Sequence, residues 1–162
     1  MPKKAQADFL AYYNQYKDKI YTYFWYRVGF NQALAEDLTS EVFIKALKNF
    51  DSYDQGRPFQ AWIYKIAQNH LINHYKTSNR ETELIEAIEA PQRESYSIET
   101  KLELERVMEH MHELNQYHRE VLLLRFVDGL DNQEIAKVLD KEEGAVRTQI
   151  SRALEELRKR IN

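Results

Sequence analysis

The stretch from Asp131 to Arg160 constrains the fold of this chain more than any other, because it predicts two helices joined by a tight turn. Asp131 and Glu134 form a capping box, in which each side chain satisfies a backbone amide at the start of the first helix. The second helix carries one apolar stripe, made of Val146, Ile150, Leu154 and Leu157. A short helix, a turn and a longer helix make a helix-turn-helix, whose second helix can enter the major groove of DNA.

The face opposite that stripe is polar and basic, and it carries Arg147, Thr148, Ser151 and Arg152. Arginine can donate two hydrogen bonds to guanine, and threonine or serine can bond to base edges or phosphates. Helical hairpins with a solvated polar face are also common, so periodicity by itself leaves DNA binding and a plain helical hairpin equally open.

Helical periodicity extends over nearly the whole chain, which contains only four glycines and three prolines in 162 residues. The sequence therefore predicts an all-α protein of one domain or two small ones. The absence of cysteine excludes disulfides and thiolate metal sites and fits a reducing compartment. No apolar run approaches the roughly 20 residues that span a bilayer, and the N-terminus lacks the apolar core of a signal peptide. We expect a cytoplasmic protein that does not insert into membranes.

Charge is unevenly distributed along the chain, although the net charge is only −3. Residues 1–80 hold 11 lysines and arginines against 7 aspartates and glutamates, residues 81–113 hold 3 against 10, and residues 114–162 hold 9 against 9. An acidic segment between two less acidic blocks indicates a linker. So little positive charge should give weak affinity for free DNA, because that affinity grows with the number of phosphates neutralised. Any role on DNA would then depend on a larger partner.

The charge pattern and the helical pattern together predict two small helical domains. We expect them at residues 1–79 and 101–162, joined by a flexible acidic linker at residues 80–100 that contains a helical turn near 84–88. The C-terminal domain is predicted to be a four-helix unit, in which Gly129 ends the second helix before the capping box. The apolar positions that carry the helical periodicity before that glycine are Leu102, Leu104, Val107, Met108, Met111, Leu114, Val121, Leu122, Leu124 and Phe126.

The N-terminal domain is predicted to contain three helices. The first spans residues 6–28 and ends at Gly29, and Asn31 is the predicted N-cap of a second helix that runs to Phe50. The apolar positions assigned to the core of this pair are Phe9, Leu10, Tyr13, Ile20, Phe24, Val28, Leu34, Leu38, Val42, Phe43, Ala46, Leu47 and Phe50. Asp37 and Glu41 lie on the opposite, acidic face of the second helix, and such a face is most often a solvated surface.

The third helix follows a loop at residues 51–57 and begins next to Pro58, which suits a first helical turn. Its apolar stripe is Phe59, Ile63, Ile66, Ala67 and Leu71, and its opposite face carries Lys65, Asn69, Asn73 and Lys76. Cations and amides beside Trp62, Tyr64 and Tyr75 are what single-stranded DNA binding requires, since charges contact phosphates and rings stack on bases. The alternative, in which Trp62 belongs to the core and the rest is ordinary surface, stays open.

Patterns for catalysis and metal binding are weak in this chain. His70 and His74 are four residues apart, but the glutamate of an H-E-x-x-H motif and an obvious third ligand are missing. No glycine-rich phosphate loop or ordering of Ser, His and Asp stands out. We expect no metal, cofactor or small-molecule substrate, so an enzyme is the least favoured class. A DNA-binding regulator that acts alone and an α-helical interaction module remain as alternatives.

Three segments, taken in order, resemble the bacterial RNA polymerase sigma factors. They are AEDLTSEVFIKALKNF, FQAWIYKIAQNHLINHYK and, after an acidic linker, REVLLLRFVDGLDNQEIAKVL with GAVRTQISRALEELRKRI. The resemblance is closest to the extracytoplasmic-function (ECF) group, which keeps only sigma domains 2 and 4, and it covers roughly residues 8–160. It implies a transcription initiation factor that binds core RNA polymerase, directs it to promoter DNA and is regulated by an anti-sigma factor.

The resemblance also implies roles for single residues. The helix at residues 35–50 would dock on the clamp helices of the largest polymerase subunit, with Asp37 and Glu41 in contact. The helix at residues 59–76 would melt and read the −10 element, and the loop at residues 51–57 would cradle a flipped base. The DNA-facing residues implied for the −10 element are Trp62, Lys65, Asn69, Asn73 and Lys76. Those implied for the −35 element, read as duplex, are Arg147, Thr148, Ser151 and Arg152.

Several positions depart from the family pattern. Glu142 stands where the recognition helix usually has a Ser or Thr cap, and Asp140 stands where Gly usually ends the previous helix. Gln149 replaces a frequent Arg or Lys, and Asn73 with His74 replaces a commoner Asp–His or Asp–Tyr pair. The basic run after domain 2 is short, with Lys76 and Arg80. These departures affect which promoter sequence the chain would prefer and how strongly it would contact the DNA backbone. They do not change the resemblance to the ECF sigma factors.

Overall fold

The structure, a computed structural model, describes residues 1–78 and 98–161. Every regular element in these residues is helical, which confirms the all-α fold predicted from the sequence. The chain divides into two compact units, at residues 1–87 and 88–162.

The predicted linker at residues 80–100 lies outside the described residues, except that a helix already begins at Ile98. The helical turn predicted near residues 84–88 lies outside them entirely.

The described part of the N-terminal unit, residues 1–78, contains three α-helices, α1 (Lys3–Arg27), α2 (Gln32–Lys48) and α3 (Phe59–Ser78). α1 packs against both of the others, and α2 packs against α3. Asn31 caps α2 as predicted, because its side chain accepts a hydrogen bond from the Leu34 amide at 3.1 Å.

The core of this unit is largely aromatic. Tyr23 and Tyr64 are fully buried and meet edge to face, with ring centroids 5.6 Å apart. The positions that were assigned to the core and are buried are Ile20, Phe24, Val28, Leu38, Val42, Phe43, Ala46, Phe50, Phe59, Ile63, Ala67 and Leu71.

Three core assignments in this unit are wrong, since Leu10, Tyr13 and Leu47 are 57%, 37% and 44% exposed. α1 carries apolar and aromatic residues on several faces, so its sequence contains more than one candidate stripe. The buried one runs through Tyr16, Ile20 and Tyr23 at four- and three-residue spacing. In α2 the small Ala46 faces the core, and its neighbour Leu47 is turned outward.

Between residues 98 and 161, the C-terminal unit contains four α-helices, α4 (Ile98–Glu113), α5 (Gln116–Leu122), α6 (Asn132–Leu139) and α7 (Glu143–Ile161). α7 packs against each of the other three and is therefore the central element. α5 continues into a π-helical segment at Leu123–Val127. The four-helix unit ending in a helix-turn-helix is the arrangement that the sequence predicts.

Two of the apolar positions in the C-terminal periodicity are not buried, since Val107 is 39% and Phe126 is 61% exposed. The side chains of Leu102 and Leu104 lie outside the described part of the structure. On α4 the buried stripe passes through Met108 and Met111, beside Val107. Phe126 lies in the π-helical segment, where a wider turn changes the angular spacing of side chains and α-helical periodicity no longer applies.

Candidate nucleic-acid and protein interfaces

The outer face of α7 carries the four residues predicted to read duplex DNA, Arg147, Thr148, Ser151 and Arg152, and all four are exposed. The opposite face is buried through Val146, Ile150 and Ala153. The structure therefore brings the four predicted residues together on one accessible helix face.

Two local contacts occupy part of this face. Arg147 Nη2 lies 3.5 Å from Glu143 Oε1 in a pair whose side chains are 68% and 42% exposed. Thr148 Oγ1 donates a hydrogen bond to the Gly144 carbonyl at 3.0 Å. An exposed ion pair contributes about 0–1 kcal/mol, so Arg147 can leave Glu143 for a DNA base or phosphate at little cost.

The turn that orients α7 forms without the glycine that usually stands there. α6 begins with the predicted capping box, in which the Glu134 amide donates to Asp131 Oδ1 at 2.8 Å and the Asp131 amide donates to Glu134 Oε1 at 3.2 Å. Asp140 ends α6 in the left-handed conformation, with φ 54° and ψ 47°. Aspartate is one of the few residues that tolerate this conformation, so the turn is preserved.

Gln149, which stands where a basic residue is frequent, joins two helices. Its Oε1 lies 3.0 Å from Nε2 of His118 on α5, and both side chains are half-buried. An amide oxygen can only accept, so His118 donates through Nε2. The two residues are 31 positions apart, and no periodic pattern in the sequence signals their contact.

On α3, Asn69, Asn73 and Lys76 are exposed and Lys65 is half-buried. Their spacing places all four along one side of the helix, opposite the buried Ile63, Ala67 and Leu71. The predicted polar face of α3 is therefore present. The exposed part of this face is the C-terminal half of the helix, from Asn69 to Lys76.

The three aromatic residues predicted to stack on bases have different surroundings. Tyr64 is fully buried, so its assignment to the DNA-facing surface is wrong. The hydroxyl of Tyr75 donates to the Arg27 carbonyl at 2.5 Å, which ties the end of α3 to the end of α1. Trp62 is half-buried and keeps part of its ring accessible, with the Tyr53 ring centroid 5.0 Å away.

The loop at residues 51–57 begins with a short 3₁₀ turn at Phe50–Ser52. Asp54 closes the rest of the loop: its carbonyl accepts from the Arg57 amide, and its Oδ1 accepts from the Gly56 amide, both at 2.9 Å. An aspartate that accepts the amide two residues later forms an Asx turn, which fixes the loop conformation.

On α2, both residues predicted to contact polymerase are exposed, but they differ in their surroundings. Glu41 Oε2 lies 2.5 Å from Nε2 of His70 on α3, whose side chain is only 12% exposed. The carboxylate can only accept, so the imidazole donates. Asp37 lies one helical turn before Glu41 on the same face. Sequence reasoning missed the Glu41–His70 contact because it joins residues 29 positions apart.

Within residues 1–78 and 98–161, no helix is both long enough and apolar enough to cross a bilayer. The same part of the chain contains no group of three or more His, Asp or Glu side chains placed to hold a metal ion.

Comparison with known proteins identifies both units. Residues 12–81 match the family described as Sigma-70 region 2, and residues 104–157 match Sigma-70, region 4. The chain is 38% identical over 160 residues to the ECF RNA polymerase sigma factor BldN of Streptomyces coelicolor, an alignment that covers 94% of this chain and 60% of BldN. It is 32% identical over 176 residues to the ECF RNA polymerase sigma factor SigW of Bacillus subtilis, covering 98% of this chain and 92% of SigW.

Two solved structures share the fold. CnrH, in complex with the cytosolic domain of CnrY, has a TM-score of 0.73 at 24% identity, over 96% of this chain and 88% of CnrH. The sigma factor RpoE, in complex with the anti-sigma factor NepR from Bartonella quintana, has a TM-score of 0.75 at 21% identity, over 94% of this chain and 95% of RpoE. With both sigma-70 regions present and nearly all of SigW matched, the chain belongs to the ECF group of RNA polymerase sigma factors, transcription initiation factors that direct core polymerase to promoters.

Proposed function

We propose that this chain reads two promoter elements in two different states of the DNA. Residues 1–79 would read the −10 element as melted single strand, and residues 101–162 would read the −35 element as duplex, with residues 80–100 as the linker between them. The observation that carries the proposal is a pair of accessible polar faces, on α3 and α7, each in a unit that matches its own sigma-70 region.

For the −35 element, we place the outer face of α7 in the major groove. Arg147 and Arg152 would form paired hydrogen bonds with guanine, and each good contact of this kind is worth roughly 1–3 kcal/mol of discrimination. Thr148 and Ser151 would bond to base edges or to phosphates. The exposure of all four residues and the weakness of the Arg147–Glu143 pair support this role.

For the −10 element, we place the polar face of α3 along the separated strand. Lys65 and Lys76 would contact phosphates, and Asn69 and Asn73 would bond to the Watson–Crick edges of unpaired bases. Trp62 would supply the stacking surface, since it is the one of the three candidate rings that is neither fully buried nor tied to a backbone carbonyl by an observed hydrogen bond. The neighbouring loop at residues 51–57 would receive an extruded base.

For core polymerase, we place the docking surface on the exposed face of α2. Asp37 is exposed and would anchor basic groups of the polymerase clamp. Glu41 would share its carboxylate between polymerase and His70, since a carboxylate accepts several hydrogen bonds at once.

An anti-sigma factor is the expected regulatory partner. CnrH and RpoE were solved with CnrY and NepR, and the latter is named as an anti-sigma factor. We propose that such a partner covers the polymerase-binding surface of this chain in the cytoplasm, where core polymerase acts. No small-molecule substrate, metal or cofactor is part of this function, and the chain itself would catalyse no reaction.

Run-off transcription with purified core polymerase tests the proposal directly. We expect initiation at defined start sites only when the chain is present, on templates selected from a library of random promoters. Tight, sequence-specific binding of duplex DNA by the chain alone, without any stimulation of transcription, would instead identify a regulator that acts without polymerase.

Two variants separate the functions of the two units. Arg147→Ala should reduce initiation that depends on the −35 element while polymerase binding is retained. Asp37→Arg should reduce polymerase binding while the helical content is retained, because it replaces an attractive charge with a repulsive one. A normal pull-down by Asp37→Arg would reject that docking surface.

A further inference from the structure

One side chain, that of Tyr53, anchors the loop at residues 51–57 to the core. Its ring is 7% exposed and packs among Phe50, Phe59 and Trp62 at centroid distances of 5.8, 5.5 and 5.0 Å. The other loop residues, Asp51, Ser52, Asp54, Gln55, Gly56 and Arg57, are all exposed. The shape of the exposed part therefore depends on how Tyr53 is held.

The hydroxyl of Tyr53 reaches across the loop and donates a hydrogen bond to the Arg57 carbonyl at 2.5 Å. The turn closed by Asp54 lies between these two residues, so the hydrogen bond fixes the turn relative to the core. Burial raises the pKa of Tyr53 to about 12, and the neighbouring Tyr12 adds to the shift. The hydroxyl therefore stays protonated, and can donate, at every pH used for transcription.

We propose that Tyr53 is a positioning residue, whose hydroxyl holds the loop in the shape that receives an extruded −10 base. This inference rests on the proposed function, in which the loop cradles that base. A loop discriminates between bases only while its polar groups keep fixed positions, because a loop free to rearrange can also satisfy the wrong base. The groups held in place here are the backbone amides and carbonyls from Asp54 to Arg57, together with the Asp54 carboxylate that accepts the Gly56 amide.

Tyr53→Phe removes the hydroxyl and keeps the ring, so it isolates the hydrogen bond. Holoenzyme reconstituted from core polymerase and the full chain would transcribe a template library with randomised −10 and −35 elements, and transcript sequencing would give the base preference at each position. We expect the preference at one −10 position to fall about fivefold, the effect of one buried hydrogen bond, with −35 preferences unchanged.

Tyr13→Phe is the matched control, because it removes a hydroxyl from a partly exposed tyrosine of α1 in the same unit. It should leave every base preference unchanged. Thermal unfolding followed by the fluorescence of Trp25 and Trp62 checks that both variants fold.

Unchanged −10 preferences in Tyr53→Phe would overturn the inference. A parallel loss at the −10 and −35 elements, or a loss of polymerase binding, would also overturn it, because either result assigns Tyr53 a purely structural role. If the wild-type chain supported no promoter-specific initiation, the proposed function would fail and this inference with it. The wild-type measurement therefore distinguishes the two failures.

Discussion

Glu41 belongs to the side of α2 that we propose faces polymerase, and it also bonds to His70 on α3. A polymerase cation that approaches Glu41 would therefore meet a carboxylate already oriented by an imidazole. The same contact fastens the helix that carries Asn69 and Asn73 to the helix that carries Asp37.

A double-mutant cycle with Glu41→Ala and His70→Ala measures this contact. We expect a coupling free energy of about 1 kcal/mol, the upper end for a partly exposed pair, because one of the two side chains is nearly buried. Urea unfolding followed by tryptophan fluorescence is suitable, since Trp25 and Trp62 both lie in the N-terminal unit. The same cycle between Asp37 and His70 should give a coupling free energy near zero. Equal coupling free energies in the two cycles would show that Glu41 has no specific contact with His70.

We expect His112 to make the C-terminal unit slightly less stable in acid. Partial desolvation of its ring, assisted by the charge of Arg119, lowers the pKa of His112 below its ordinary value of 6.5. The unfolded chain then binds a proton at His112 more readily than the folded chain. The neutral His112 side chain therefore costs the folded unit no stability above pH 6.5. Stability is lost as the pH falls from 6.5 towards the lower pKa that His112 has in the folded protein.

An NMR titration tests this prediction, with His112→Gln used to identify the resonance. We expect the titration midpoint below 6.5, and we expect His112→Gln to lose less stability than the wild-type chain when the pH is lowered from about 7.5 to 5.5. A titration midpoint at or above 6.5 would show that folding does not lower the pKa of His112.

At the scale of the element, the capping box of α6 should carry measurable stability. Asp131→Ala leaves the Glu134 amide without its acceptor and should lower the free energy of unfolding of the C-terminal unit by about 1 kcal/mol. Asp131→Asn keeps a good capping oxygen and should lose much less. Chemical denaturation followed by circular dichroism compares the two, and identical losses would show that the cap contributes nothing.

The outer face of α7 should carry sequence recognition as a unit. Arg152→Ala should reduce transcription from promoters with an intact −35 element by about tenfold, the value of one arginine–guanine contact. Lys159→Ala is the matched control, because it removes the same charge from a 66% exposed side chain near the end of the same helix. Equal reductions in the two variants would mean that α7 contributes only general electrostatic attraction.

The helices themselves could be predicted from the sequence, because apolar spacing, the Asn31 cap and the Asp131–Glu134 box are all local signals. The exposed faces of α3 and α7 followed from the same spacing. Tyr64 was misassigned because tyrosine serves equally well as a buried ring and as a stacking surface. Contacts such as Tyr53–Arg57 and Gln149–His118 could not be predicted, since they depend on how the backbone places side chains after the helices have packed.

At the scale of the whole molecule, the net charge of −3 limits what the free chain can do on DNA. We expect it to bind promoter duplex weakly and with little sequence preference at physiological salt, because few phosphates can be neutralised. The reconstituted holoenzyme should bind the same duplex tightly. Electrophoretic mobility shifts over a salt series would test this, and specific nanomolar binding by the free chain would contradict it.

The bond between Gln149 and His118 would have a consequence for the number of promoters recognised, if α7 reads the −35 element as proposed. Because the Gln149 side chain bonds to His118 within the protein, one side chain fewer on α7 would be left to contact bases. Upstream sequences that differ only at the base pair without a side-chain contact would then be bound with similar affinity. Such tolerance would widen the set of control regions that a single factor can govern, and it would leave the choice among them to the melted element downstream.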